Sequence, residues 1–499
     1  MLIKLNKGEF FKTRDFGCFC PYWIKNSDGE IFISDCFNEI ISLLPDDKRI
    51  IDPVGVASLL QFNWISGNRT LVSGINRLPW RGQISHTGEL VRRSAIPHGN
   101  VIMEPKEIAQ KFETLLIKEL ESYIINHQKI HLLLSGGLDS RIIAGLLKKI
   151  EPNHSFEIKC VTWGIEHSRD VVYAKKIAEL YDWDLIHIPL NSSVLKDNIF
   201  ESCKYCGAEI AGIHLHGAKW FEKLNKKNLV LAASFGDSIG RGEFNGQNLN
   251  NIKMNTFKNR YGIIRHDLFN SLTVNLTEDR NCAFIKTQDT HNWALCELDL
   301  QENYMRRMIV PAMGYIGQWT NLEQMFISTE IVQFIWSLNP TCRNNKIYQE
   351  LFKVIDPKLN MIPWARNGIS FNGDIEKNLK LTKNFHDYPK WCKNDLNPLI
   401  EKYCNPKKLS MLNIFNLNVV NKLFDYWTKN YPINYELILK IAQIGLLSEM
   451  YDIKGITNSY IVDTSMRSKI FYKLSIDIKN HLQFETLKWW KTLNGSGGY

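Results

Sequence analysis

No run of about 18 consecutive apolar residues occurs in the 499-residue chain, so no membrane-spanning helix is expected. The opening "MLIKLNKGEFF" interleaves charged with apolar residues, and no secretory leader is expected from it. Internal repeats and long low-complexity linkers are missing. So is a strong charge of one sign. Lys and Arg number 61 against 52 Asp and Glu, a net +9 with no clustered basic arm, and nucleic acid is not an expected partner. The eleven cysteines form no disulfide framework, which suits a reduced, cytoplasmic protein. Cys18-x-Cys20 and Cys203-x-x-Cys206 stand out, and His214 and His216 follow the second pair. Zinc is not expected there. A structural zinc site wants two well-spaced ligand pairs in a loop, whereas "FESCKYCGAEIAGIHLHGAKWFEKL" reads as helix.

What is present is an ordinary globular composition, 44% apolar and 23% charged, in a chain long enough for two or three domains. Residues 1–100 read as β-rich. "EIFISD" is a strand introduced by the turn Asn26-Ser27-Asp28-Gly29, and "GELVRRSAI" is another. Between them Asp52 caps a short helix with Pro53 at its first position. Residues 101–375 begin with helical spacing of Ile108, Phe112, Leu115, Leu116, Leu120 and Ile124. Strands and helices then alternate: "KIHLLLS", "SRIIAGLLKKI", "FEIKCVTWG", "SRDVVYAKKIAELYDW", "DLIHIPL" and "NLVLAAS". That alternation predicts an α/β fold, a parallel sheet with helices on both faces. "NWALCELDLQENYMRRMI" reads as an amphipathic helix. Residues 376–499 read as a helical extension whose end, "LNGSGGY", is flexible.

The most informative stretch is "HLLLSGGLDS" (131–140). A strand that ends in Gly-Gly and enters a helix presents backbone N–H groups and the positive end of the helix dipole to an anion. Glycine permits close approach and unusual φ values, and Ser135 and Ser140 add donors. Asp139 would repel a phosphate unless a divalent cation lies between them, so the stretch asks for a polyphosphate with Mg²⁺. It is not a Walker-type loop, because no Gly-Lys-Ser/Thr follows. "LAASFGDSIGRGEF" (231–244) repeats the pattern of strand, glycine turn and aspartate, and Asp237 can supply a second carboxylate. "NNKIYQELF" starts a helix at Lys346 and is followed by "IPWARNG".

S-G-G-x-D-S resembles the pyrophosphate loop of enzymes that cut ATP between its α and β phosphates. The order of this loop, the glycine-aspartate turn, the helix-starting lysine and "IPWARNG" resembles the synthetase half of the asparagine synthetase family, over about residues 12–370. The resemblance implies a pyrophosphate grip from Ser135, Gly136, Gly137, Asp139 and Ser140. It implies adenine contacts from Leu133 and from the "VTWG" edge (Thr162, Trp163, Gly164), with Val161 better read as sheet core. Gly236 would line the nucleotide site, and Asp139 and Asp237 would hold Mg²⁺. Lys346 would stabilise negative charge, and Arg241 and Arg366 would meet phosphate or substrate. Asp170 reads as a helix cap or surface pair.

Several departures matter. Glutamine-using members begin their mature chain with cysteine. Here residue 2 is Leu, the N-terminal unit is about half the expected size, and neither Cys18 nor Cys20 is terminal, so no glutaminase activity is expected. The second motif reads Ser234-Phe235-Gly236-Asp237-Ser238 where members read closer to S-G-E-G-S-D-E, and "EQMFIST" stands where many show Pro-Phe-Leu-Asp. Relatives without glutaminase include β-lactam synthetase and lasso-peptide cyclases. The expectation is an ATP-dependent, AMP-forming ligase that joins a small-molecule or peptide carboxylate to ammonia or a substrate amine. A homodimeric copy or a biosynthetic partner protein is compatible with it, and a membrane is not. The alternatives are a base-modifying enzyme that transfers sulfur through Cys203 or Cys206, and a non-catalytic ATP-binding relative.

Overall fold

The computed structural model describes residues 2–17, 20–242, 257–375, 380–431, 433–457, 478, 481–486 and 489. The glycine-rich end and Cys18 lie outside the described residues.

The N-terminal unit is antiparallel. Strands β1 (Ile3–Lys4), β3 (Tyr22–Lys25), β4 (Ile31–Ser34) and β5 (Asn76–Arg77) form one sheet in the order β1-β4-β3-β5. Strands β2 (Phe10–Lys12), β6 (Gly82–Ser85) and β7 (Leu90–Arg92) form a second. Helix Pro53–Phe62 starts as expected, with the Asp52 carboxylate accepting from the amides of Val54 and Gly55.

The central sheet is fully parallel, in the order β10-β9-β8-β11-β12. Its strands are β8 (Lys129–Leu133), β9 (Glu157–Gly164), β10 (Asp184–Pro189), β11 (Leu229–Ala232) and β12 (Asn321–Gln324). β8 and β11 read as near-continuous apolar runs because both their faces are covered, one by helix Leu138–Ile150 and its neighbours. Of the predicted stripe on helix Pro105–Ile124, Ile108, Phe112, Leu116, Leu120 and Ile124 are buried and Leu115 is half-buried. From this helix Glu119 accepts three backbone N–H bonds, from Phe326, Ile327 and Ser328 at 2.8, 3.0 and 2.6 Å. The part of "EQMFIST" that follows β12 is thus closed by a buried carboxylate. Among the described residues no helix is long and apolar enough to cross a membrane.

Two features depart from the sequence reading. "NWALCELDLQENYMRRMI" is helical but not an amphipathic surface helix: Glu297, Asp299, Gln301, Glu302, Asn303, Arg306 and Arg307 are all buried. Their charges meet partners, some from the N-terminal unit and others, such as Arg280 for Asp299 and Arg343 for Glu297, from elsewhere. Glu302 pairs with Arg81 at 2.9 Å and Arg92 at 2.6 Å, and Glu209 with Arg77 at 3.2 Å and Arg307 at 2.8 Å. Arg306 and Arg307 donate to the carbonyl of Gly67 at 2.6 and 2.7 Å. The helix widens to i→i+5 bonding over Leu300–Ile309, where this network sits. Second, the helices beyond residue 388, Leu417–Thr428 and Tyr435–Tyr451 among them, share one apolar cluster with Tyr22, Phe37, Val56 and Leu59 of the N-terminal unit.

Candidate functional site

Strand order places the site. From β8 the chain moves outward to β9 and β10, and later enters β11 on the opposite side of β8. The carboxyl ends of β8 and β11 therefore border the crevice where strand order reverses, the place open parallel sheets leave for ligands. Both glycine turns singled out in the sequence lie at this crevice. A cavity of about 290 Å³ opens there, lined by Leu133, Ser135, Asp139 and Ser140 after β8, by Val161, Thr162 and Trp163 on β9, and by Ala233 and Ser234 after β11.

The loop is held by its own side chains. The Ser135 amide donates to Ser140 Oγ at 3.1 Å, and the Gly137 amide donates to Ser135 Oγ at 3.1 Å. The Gly136 amide donates to the Asp170 carboxyl. Three consecutive amides thus turn toward side-chain oxygens, all of which belong to residues lining the cavity. Helix Leu138–Ile150 begins one residue after Gly137, which puts Asp139 and Ser140 in its first turn, where N–H groups lack intrahelical partners. Unusual φ values are not the reason for the glycines, since neither Gly136 nor Gly137 has a positive φ. Close approach is. A Cβ on Gly136 would lie 2.9 Å from both Ala365 Cβ and the Arg169 carbonyl, and one on Gly236 would lie 2.6 Å from Asp139.

Asp139 stands at the centre of the crevice. Arg241 Nε lies 3.3 Å from its Oδ1, and Arg241 also reaches Asn345 Oδ1 at 3.5 Å. The Tyr348 hydroxyl donates to the Gly236 carbonyl at 2.8 Å. Burial raises the pKa of this phenol far above its ordinary value, and the nearby Asp139 and Asp237 carboxylates act in the same direction. Asp139 is thus within hydrogen-bonding reach of this hydroxyl, and Asp237 follows the glycine whose carbonyl the hydroxyl meets. Beneath the loop the buried Arg141 guanidinium donates to the carbonyls of Gly136, Leu359, Ile362 and Pro363 at 3.2, 3.1, 2.6 and 2.8 Å, tying the "IPWARNG" segment to the loop. Burial lowers its pKa to about 10.

The expected site residues divide. Leu133, Ser135, Asp139, Ser140, Thr162 and Trp163 line the cavity, and so does Val161, read earlier as core only. Gly136, Gly137, Gly236, Asp237 and Arg241 form the adjoining walls, by the contacts just given. Gly164 ends β9 behind the cavity. Lys346 is exposed in the first turn of helix Asn345–Ile355, next to Asn345, outside the cavity lining. Arg366 is exposed, its guanidinium 5.4 Å from the Trp364 ring centre, and also outside the lining.

Asp170 is neither a cap nor a surface pair. Ser168 caps helix Arg169–Tyr181, while Asp170 turns into the cavity, where burial pushes its carboxyl up to about 6 against the pull of the Gly136 amide. An aspartate near a helix start gives the same sequence signal in either role. Met313 and Phe385 also line the cavity, and no signal in the sequence marked them.

Cys203 and Cys206 lie in helix Ser192–Cys206, fully buried, with thiols donating to the carbonyls of Gln443 and Pro311. Burial raises both pKa values, that of Cys206 to about 12, so neither is a ready thiolate. Among the described residues no group of three or more His, Cys, Asp or Glu is arranged to hold a metal.

Residues 111–213 match the asparagine synthase family model. The match runs from helix Pro105–Ile124 through the Ser135 loop, β9 and β10 to the turn at Gly212–Leu215. The Gly236 turn, Lys346, "IPWARNG" and the N-terminal strands lie outside it. No curated protein matches the chain. Solved structures that match include an NMN synthetase from Francisella tularensis, at 15% identity and a TM-score of 0.20. That match covers 28% of this chain and 59% of the other, so the chain spans little more than half of that structure's length.

Proposed function

We propose that the chain is an ATP-dependent, AMP-forming ligase that adenylates a substrate carboxylate and passes the acyl group to ammonia or a substrate amine, giving an amide or lactam. The observation that carries the reading is the S-G-G-x-D-S loop at the sheet's switch point, opening into a cavity that reaches the β9 edge, inside the segment matched by the asparagine synthase model. A free carboxylate resists attack because its leaving group would be oxide. One of its oxygens therefore bonds to the α-phosphorus of ATP while the α–β anhydride bond breaks and pyrophosphate leaves. The amine nitrogen then bonds to the acyl carbon, AMP leaves, and the nitrogen loses a proton.

In this reading the amides of Ser135, Gly136 and Gly137 exchange their side-chain acceptors for pyrophosphate oxygens, aided by the first turn of helix Leu138–Ile150. Ser135 and Ser140 add hydroxyl donors. Arg241 leaves Asp139 for a phosphate or the substrate, and Lys346 and Arg366 approach from the rim. The residues present fit Mg²⁺: the Asp139 carboxylate lines the cavity, and Asp237 belongs to the Gly236 turn that packs directly against Asp139. Two carboxylates plus phosphate oxygens form a suitable hard-oxygen donor set. Bound there, the ion would neutralise charge on the departing pyrophosphate. In residues 1–100 the buried Cys20 thiol donates to the Leu78 carbonyl at 3.3 Å. We keep 1–100, 101–375 and 376–499 as the proposed division of the chain.

The test is pyrophosphate and AMP release from ATP, screened over amino acids, peptides and sugar acids with and without ammonia. One class of acid should support release, and no glutamate should form from glutamine. Binding of ATP with no release across the panel would leave a nucleotide-binding relative instead.

A further inference from the structure

The cavity is lined by two kinds of side chain. Ser135, Asp139, Ser140 and Asp170 are polar; Leu133, Val161, Met313 and Phe385 are apolar. Phe385 is the outlier in origin, since it lies 221 residues beyond Gly164, the end of the β9 edge it faces. The chain brings it there as a strap. The Thr382 amide donates to the His167 carbonyl at 3.0 Å, the Arg169 amide to the Thr382 carbonyl at 3.0 Å, and the Ile165 amide to the Phe385 carbonyl at 2.9 Å. These bonds pair the strap with the turn between β9 and helix Arg169–Tyr181. Gly164 makes the approach possible. Its φ is +146°, and a Cβ there would sit 3.1 Å from Phe385 Cβ.

The ring is also braced from behind. His216 stands edge-on to Phe385 with centres 5.3 Å apart, and lies nearly parallel to Trp163 at 5.9 Å. His216 Nδ1 is 2.8 Å from the Tyr388 hydroxyl, and His386 stacks on Tyr388 at 4.0 Å. Burial holds His216 neutral, with a pKa of about 3, so the brace carries no charge toward the cavity. A braced aromatic ring in a cavity that also carries a phosphate-type loop suits a flat heteroaromatic group joined to a phosphate chain.

We infer that Phe385 is a nucleobase-positioning residue: its ring forms one wall of the adenine site and selects a purine there, on the reading that this cavity takes ATP. The C-terminal segment therefore completes the nucleotide site from outside the matched family segment. Nucleobase stacking on one aromatic side chain accounts for about tenfold or more in affinity.

The test is calorimetric binding of Mg-ATP and of inorganic pyrophosphate to the full chain, for wild type, Phe385→Ala, Phe385→Leu and Phe385→Tyr, with thermal unfolding to establish that each is folded. Phe385→Ala and Phe385→Leu should weaken ATP by about tenfold and leave pyrophosphate unchanged, while Phe385→Tyr stays near wild type. Equal binding of ATP by all four proteins overturns the role of Phe385 and leaves the ligase reading standing. Equal loss of ATP and pyrophosphate in the Ala and Leu variants also overturns it, since the strap would then be holding the loop and not the base. Wild type that binds neither ligand overturns the ligase reading, and this inference with it.

Discussion

Two buried polar clusters use the same residue types to opposite ends. Around Leu300–Ile309, Glu302 and Glu209 are enclosed by Arg77, Arg81, Arg92 and Arg307, and carbonyls such as that of Gly67 take further guanidinium hydrogens. The cluster is closed, glycine-poor and lined by long side chains that fill their own space. At the crevice between β8 and β11, glycines let the backbone pack directly against Asp139 and the loop, while Asp139 and Asp170 border an open cavity. Amide donors there point at side-chain oxygens that rotation can withdraw. Charge compensated on all sides is mortar between the N-terminal unit and the central sheet. Charge compensated on one side, with space on the other, is a place for a ligand.

The contrast can be broken by substitution. Glu302→Ala leaves Arg81, Arg92 and Arg306 buried without their carboxylate, and should cost about 3–5 kcal/mol in denaturant unfolding while the surviving folded protein keeps its ATP affinity. An equal stability loss from Asp139→Ala would erase the distinction. Instead Asp139→Ala should lower ATP–pyrophosphate exchange by about 10²–10³-fold with the fold intact. Asp170 tests the open cluster by pH. Its carboxyl is raised from 3.8 to about 6 in the folded chain, so the native state holds this proton more tightly than the unfolded chain. Its contribution is therefore full below about pH 4 and is lost as pH rises through about 6, by at most about 3 kcal/mol. Asp170→Asn should flatten that fall and unfold at higher temperature than wild type at pH 8; an unchanged profile in thermal melts would argue against it. The smallest effect is expected at Cys206→Ala, which should leave exchange per folded molecule within about twofold, as befits a buried, protonated thiol. Loss of activity there would restore the sulfur-transfer alternative.

How much was legible follows from how local each signal is. The parallel strands, the Asp52 cap and the Ser135 loop are written in short windows, where apolar runs and glycine turns dictate backbone shape. Asp170 carries no local mark of its role, because the sequence places it at a helix start without saying which way it faces. Glu302, Arg306 and Arg307 fall on helical spacing and read as a wet face. Arg81 and Arg92, which pair with Glu302, lie more than 200 residues away, and Glu209, which pairs with Arg307, is also remote in the chain, so nothing local marks this face as buried. Phe385 is hidden for the same reason: only the bonds of its strap to the Ile165–Arg169 turn bring it to the cavity.

The cluster shared by the N-terminal strands and the last helices bears on how the molecule is born. The Ile51 amide donates to the Lys454 carbonyl at 2.9 Å, and Ile50 bridges Lys454 across 404 positions of chain. A ribosome adds about 5–20 residues each second, so Tyr22, Phe37 and Leu59 wait many seconds for the partners that cover them. During that interval the emerging polypeptide shows a greasy face to its surroundings. Synthesis at low temperature, or with extra chaperone, should raise the yield of soluble product far more than any change made near Asp139.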